Sequence, residues 1–198
     1  ASLAGYVNDV YKLNDKLSVQ AGLRYNWFKL EADFSNNLPF YPLPFSTSSS
    51  QNAALTGSLG AVYRPTSSWV LSTNFGTAFR APNVDDMGKV FDSEPGSVTV
   101  PNPDLKAEYA YNVDVSAAKL FWNVLKIDLT GYYTILQNAM VRRNYTLNGA
   151  DSIMYNGELS QVQAVQNAAV ANVYGVQAGL ELKLPAGFTF STDLNYQI

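Results

Sequence analysis

The sequence predicts an all-β fold: an antiparallel up-and-down meander of about eight strands that forms part of a larger transmembrane β-barrel. Three observations carry this. Apolar and polar residues alternate with period two through most of the chain, the mark of strands with one apolar face. Tight turns and long connections strictly alternate, so a meander gathers every tight turn at one end of its sheet. Aromatic residues collect near strand ends, where the two interfaces of a bilayer favour rings with polar tips.

The elements follow in order. An opening strand, about Leu3 to Tyr11, is the least cleanly patterned. Leu17, Val19, Ala21, Leu23, Tyr25 and Trp27 then face one way, against Ser18, Gln20, Gly22, Arg24 and Asn26. Leu55, Leu59, Ala61 and Tyr63 oppose Thr56, Ser58, Gly60 and Arg64. Trp69, Leu71, Phe75 and Phe79 oppose Ser72, Asn74, Gly76 and Arg80. Tyr109, Tyr111, Val113 and Val115 oppose Glu108, Asn112, Asp114 and Ser116, in a strand read as ending at Ala118. Three more follow, with apolar faces at Leu125–Tyr133, Tyr174–Leu182 and Phe188–Tyr196. In the seven clear strands the charged residues lie on the polar face. A soluble sandwich would also segregate its faces, so the connections decide more.

Four connections are tight, at 12–16, 65–68, 120–123 and 184–187. The three between them are long, at roughly 31–52, 81–107 and 137–171. Short turns on one side and long loops on the other are the asymmetry of outer-membrane barrels, with the long loops extracellular and the short turns periplasmic. Because the first connection is tight, both chain ends fall at the long-loop rim. The topology therefore predicts one partial barrel domain over residues 1–198, with strands missing on both sides and no closing C-terminal strand. Unpaired edge strands cannot be left in lipid, so such a piece needs partners along both edges.

Composition excludes several classes. The chain has 198 residues, 47% hydrophobic and 15% charged, with a net charge of −3, which argues against a nucleic-acid partner. It lacks cysteine and histidine, removing thiolate and imidazole metal sites and Ser-His or Cys-His catalysis. No cofactor is expected. No apolar run is long enough for a membrane-spanning helix. Ala1-Ser2-Leu3 opens directly into strand-like sequence without the pattern of a signal peptide.

Phe79-Arg80-Ala81-Pro82-Asn83 ends one strand, and after a long loop Asn102-Pro103-Asp104-Leu105-Lys106-Ala107-Glu108 opens the next. In that order and spacing, the two stretches resemble motifs of the TonB-dependent outer-membrane receptors, as do LNDKLSVQAGLRYNW and VYGVQAGLELKL. The family often has proline where this chain has Ala107. The resemblance implies a barrel of about 22 strands with a plugged lumen. It also implies capture of a scarce nutrient outside the cell, and uptake driven by an energised inner-membrane TonB complex. The plug and the segment that meets the complex are absent from these 198 residues. Expected partners are outer-membrane lipid, lipopolysaccharide and a small nutrient ligand: a ferric siderophore first, otherwise a cobalamin or an oligosaccharide.

Arg80 and Glu108, at the upper ends of consecutive strands, are expected to form a cross-strand ion pair; two independently solvated charges are the alternative. Asn83-Val84-Asp85-Asp86-Met87-Gly88 faintly suggests a calcium loop, but Met87 occupies a ligand position and a solvated acidic loop is the better account. Phe40, Tyr41 and Phe45 stand between prolines and are candidates for a stiff aromatic ligand platform, against a loop that packs on itself. Arg142, Arg143 and Tyr145 are candidate contacts for an anionic ligand, against solvated or lipopolysaccharide-facing arginines. Two other readings compete with transport: a soluble β-sandwich that binds carbohydrate, and an outer-membrane enzyme. No residue pair supports the enzyme.

Overall fold

Where one side of a strand repeats apolar residues and the other polar ones, pairing with a like neighbour gives a sheet with two chemically distinct faces. The structure is a computed structural model that describes residues 1–36, 45–88, 90–167 and 170–198. In chain order it contains β1 (Ser2–Lys12), β2 (Leu17–Asp33), β3 (Thr47–Tyr63), β4 (Trp69–Arg80), a short helix α1 (Val84–Gly88), β5 (Phe91–Glu94), β6 (Ser97–Val100), β7 (Glu108–Phe121), β8 (Leu125–Gln137), β9 (Met140–Asn144), β10 (Ser152–Tyr155), β11 (Glu158–Asn167), β12 (Val170–Lys183) and β13 (Thr189–Gln197).

Eight strands form one antiparallel sheet in the order β1-β2-β3-β4-β7-β8-β12-β13, the meander that the alternation predicts. Its tight turns have local causes. Asn14 accepts the backbone N–H groups of Lys16 and Leu17 at 2.9 and 3.0 Å, which folds the β1–β2 turn. The β7–β8 turn puts Trp122 and Asn123 at φ 50° and 57°, and the β12–β13 turn puts Ala186 and Gly187 at 61° and 81°. Two successive positive φ values give a turn whose twist matches that of the flanking strands.

The apolar face of this sheet is the exposed one. Leu55 is 67% exposed, Val115 61% and Leu129 52%, while Asn112, Asp114 and Ser116 on the other face are half-buried. A water-soluble sandwich does the reverse, so the carbohydrate-binding sandwich is excluded by this face. The polar face is knitted by side chains: Ser116 with Thr130 at 2.8 Å, Thr134 to Asn112 at 2.7 Å, and the Tyr132 hydroxyl to Gln197 at 3.2 Å. Tyr132 lies across Gly175, where an added Cβ would come within 2.7 Å of its hydroxyl, so only glycine admits the ring.

The apolar band has a definite top. On β2 the outward positions are apolar from Leu17 to Trp27 and then become Lys29, Glu31 and Asp33; on β3 they are apolar from Tyr63 up to Ala53 and then become Gln51, Ser49 and Thr47. Trp27 pairs with Ala53 and Lys29 with Gln51, so both strands switch at the same height. About 9–11 tilted residues cross a bilayer, and each band fits that span.

Two sequence expectations need correction here. The connection placed at about 31–52 is shorter, because β2 and β3 stay paired up to Asp33↔Thr47. The other two long connections are not plain solvated loops. β5 and β6 from one, and β9, β10 and β11 from the other, build a second sheet in the order β10-β11-β6-β5, with β9 pairing β11.

Candidate functional site at the long-loop end

Arg80 closes β4, and Pro82 then turns the chain into α1. Asn83 caps that helix: its side-chain oxygen accepts the Asp86 N–H at 2.8 Å, and the Asp86 carboxylate accepts the Asn83 N–H at 3.1 Å. This reciprocal arrangement satisfies two of the donors that a helix start leaves free. The same carboxylate takes the Arg80 guanidinium at 3.0 and 3.3 Å. The expected cross-strand ion pair between Arg80 and Glu108 is present as a longer contact, and the hydrogen-bonded partner of Arg80 is Asp86. The two residues are register partners, but their nearest charged atoms stand 3.8 Å apart, and Glu108 instead accepts the Met140 N–H at 3.1 Å. Asp86 prevails because the cap already holds it, 14% exposed, beside the arginine. Met87, in the would-be calcium position, is fully buried, and no metal-binding cluster occurs among the described residues.

The second motif joins two loops. Asn102 donates to the Val165 carbonyl at 2.8 Å, and its oxygen accepts the Asp104 N–H at 3.1 Å. Asn167 accepts the Lys106 N–H at 2.8 Å and donates to the carbonyls of Lys106 and Asn138 at 2.9 and 2.7 Å. Leu105 and Ala107 are buried beneath these bonds, and the Ala107 carbonyl accepts from Asn138. Asn102, Leu105 and Glu108 thus hold the two loops together at their base. Phe79 packs on Tyr109 with ring centroids 5.9 Å apart. Pro82 and Pro101 are fully buried.

Above this base the second sheet carries its own core. Val98, Val100, Leu147, Val162 and Ala164 are at most 4% exposed, with Tyr145, Ile153 and Tyr155 packed against them. β6 and β11 pair in parallel, Val98 opposite Val162, which locks one loop to the other through backbone bonds. Turns at Asn148-Gly149 and Asn156-Gly157, all four residues at positive φ, bring the strands round.

Among the described residues, the candidate ligand contacts do not converge on one surface. Arg142 and Arg143 are neighbours on β9 and so point to opposite faces; both are exposed, and Arg142 lies 5.2 Å from the centroid of the Phe91 ring. Tyr145 belongs to the core instead. Phe45 meets Phe34 edge-on at 5.6 Å, at the top of the β2–β3 hairpin. There, hydrogen bonds from the Ser35 side chain and backbone hold the Asp33 carboxyl below the usual carboxylate range. Phe40 and Tyr41 lie outside the described residues. One concavity, about 330 Å³, opens between Arg24, Asn26 and Phe28 on β2 and Phe79, Pro82 and Asn83 of the first motif. Sequence reasoning did not single out Arg24 or Asn26, which are hydrogen-bonded to each other at 2.7 Å. Their placement on the polar face was the available signal.

Comparison with known proteins accords with this geometry. Residues 1–197 match the sequence model of the family described as TonB dependent receptor-like, beta-barrel. The siderophore receptor PirA from Pseudomonas aeruginosa superposes with a TM-score of 0.74 at 19% identity, covering 100% of this chain and 34% of that one. The FrpB iron transporter from Neisseria meningitidis gives 0.66 at 17%, over 99% and 26%. The hemophore receptor HasR of Serratia marcescens, as a double mutant with its hemophore HasA and heme, gives 0.69 at 16%, over 99% and 33%. The chain thus spans about a quarter to a third of the structures it matches. No curated protein sequence matches it.

Proposed function

The chain belongs to the TonB-dependent receptor β-barrel family, and we propose on that premise that it forms part of the wall and mouth of a bacterial outer-membrane transporter for ferric siderophores. The family is one of outer-membrane receptors and transporters rather than enzymes. The observation that carries the membrane assignment is the inverted sheet, apolar and exposed on one side, polar and cross-bonded on the other. The siderophore class rests on relatives described as a siderophore receptor and an iron transporter. Polar donors and acceptors at the mouth, among them Arg24 and Asn26, suit an anionic, oxygen-rich chelate.

In this reading the residues above Trp27 and Ala53 are extracellular, the tight turns periplasmic, and the second sheet a lid over the lumen. Among the described residues the outer edges of β1 and β13 have no strand partner, which fits one sector of a wider barrel whose other strands close both edges. The plug and the contact with the TonB complex belong to other parts of the parent protein. Transport is then a property of the whole receptor, with this sector supplying lipid contact and part of the ligand mouth.

The test is iron-limited growth of a bacterium lacking the full-length receptor, supplied with single ferric siderophores. Growth on at least one should require the receptor and fail when residues 138–169 are replaced by a short linker. Growth unaffected by the deletion on every siderophore, with loss of cobalamin or oligosaccharide uptake instead, would overturn the substrate class.

A further inference from the structure

Among the described residues, the outward face of the large sheet is mainly apolar along the band, with two charged exceptions near the tight-turn end. Asp9 on β1 sits opposite Ala21. Lys119 on β7 sits opposite Trp69 and Ile127. Lys119 has the parity of Val113, Val115 and Ala117, so its side chain leaves the sheet on the lipid side. Its ammonium lies 4.7 Å from the centroid of the Trp69 ring and 4.6 Å from that of Phe121. No carboxylate pairs with it among the described residues. Asp9 is four strands away, about 19 Å at the usual strand spacing, and does not neutralise it.

A groove of about 290 Å³ adjoins this cation on the same face, lined by Ala61 and Tyr63 of β3, Leu71 and Thr73 of β4, and Val115 and Ala117 of β7. Small residues at Ala61, Thr73 and Ala117 form its floor, between the walls of Tyr63, Leu71 and Val115. Ser72 and Ser116 also border it, but their parity turns their side chains to the other face, and the Thr73 hydroxyl is already used, donating to the Asp114 carbonyl at 3.0 Å. The groove is therefore mostly apolar. Ala117 and Leu71 each lie two residues from Lys119 and Trp69 on their own strands, so the groove leads directly to the ammonium.

We propose that this face holds one anionic phospholipid of the periplasmic leaflet, its acyl chain in the groove and its phosphate on Lys119. Charge complementarity selects the occupant: an apolar channel that ends in an unpaired cation, at the depth where headgroups begin, matches a lipid with a negative head and nothing soluble. The two rings hold the ammonium at the surface without neutralising it, because a ring quadrupole attracts the cation but leaves its charge. Exposed Trp122, 86% accessible in the adjoining turn, completes an interfacial belt with Tyr63 and Trp69. The proposal rests on the membrane reading above.

The test uses the full-length receptor in bilayers of equal phosphatidylglycerol and phosphatidylcholine, with a photo-crosslinking residue at Ala117 or, as a control, at Val176 on the far part of the same apolar face. Mass spectrometry then counts lipid adducts. One basic group near a headgroup predicts roughly fivefold enrichment of phosphatidylglycerol at 117. The enrichment should vanish in Lys119→Gln and persist in Lys119→Arg, with none at 176. Equal adducts of both lipids at 117 would overturn the site and leave the membrane reading standing. Absence of lipid adducts at both positions, in protein that remains folded, would overturn the membrane reading and the proposal with it.

Discussion

The two sheets use the same alternation for opposite solvents. In the large sheet, Leu55 and Val115 are 67% and 61% exposed; in the loop-built sheet, Val98 and Val162 are fully buried. Among the described residues the first leaves its apolar face uncovered, which the proposed barrel reading assigns to lipid. The second closes its own hydrophobic cluster from two connections far apart in sequence. Apolar alternation alone does not say which solvent a face expects. What distinguishes the two is what covers the face.

Four substitutions probe that difference, the largest effect first. Val162→Asp places an unpaired charge in the core of the second sheet and should cost roughly 3–5 kcal/mol there. Limited proteolysis of outer-membrane vesicles should then cut the 138–169 region while the barrel wall stays resistant. Loss of both regions together would show that they are one cooperative unit. Val115→Arg puts a charge on the lipid face and should cost about 2–4 kcal/mol near the bilayer midplane. Urea titration of refolding into lipid vesicles reads this out, and an unchanged midpoint would mean that the face is not in lipid.

Asn167→Ala removes the clamp between the two loops and leaves the Lys106 N–H and two carbonyls short of a partner, an expected loss of about 1–3 kcal/mol. Hydrogen exchange should accelerate at Lys106 and along β11, with the β7–β8 ladder unaffected. The smallest effect is expected for Asp86→Ala, which removes half of the α1 cap and the main partner of Arg80, at about 1 kcal/mol. Glu108 should then draw the guanidinium to hydrogen-bond distance, a shift visible in a structure of the variant.

The wall was legible in the sequence because each of its strands is long enough to show its period and its turns carry local signals such as Asn14. The second sheet was not. Ser97–Val100 is only four residues long, so its Ser-Val-Thr-Val alternation is too short to mark a strand, and its burial on both faces is set by neighbours from other segments. Its partner β11 arrives from another connection, more than sixty residues away. The turns at Asn148-Gly149 and Asn156-Gly157 were the signal available for the third connection. Lys119 was missed because the strand was read as ending at Ala118, one residue before the position that breaks the apolar face. Among the site residues, cross-strand logic placed Arg80 opposite Glu108 correctly, but it did not weigh a helix cap delivering Asp86 to the same guanidinium.

The most direct test of the inverted wall is a nitroxide scan along β7 of the full-length receptor in the outer membrane, with single labels at positions 111 to 116. Since these 198 residues contain no cysteine, each introduced cysteine is the only one in this part of the protein. A barrel wall predicts period-two accessibility: labels at Tyr111, Val113 and Val115 reached by dissolved oxygen from the lipid, and those at Asn112, Asp114 and Ser116 shielded from it on the lumen side. Labels at Tyr111, Val113 and Val115 that respond to a water-soluble relaxation agent instead of oxygen would contradict it.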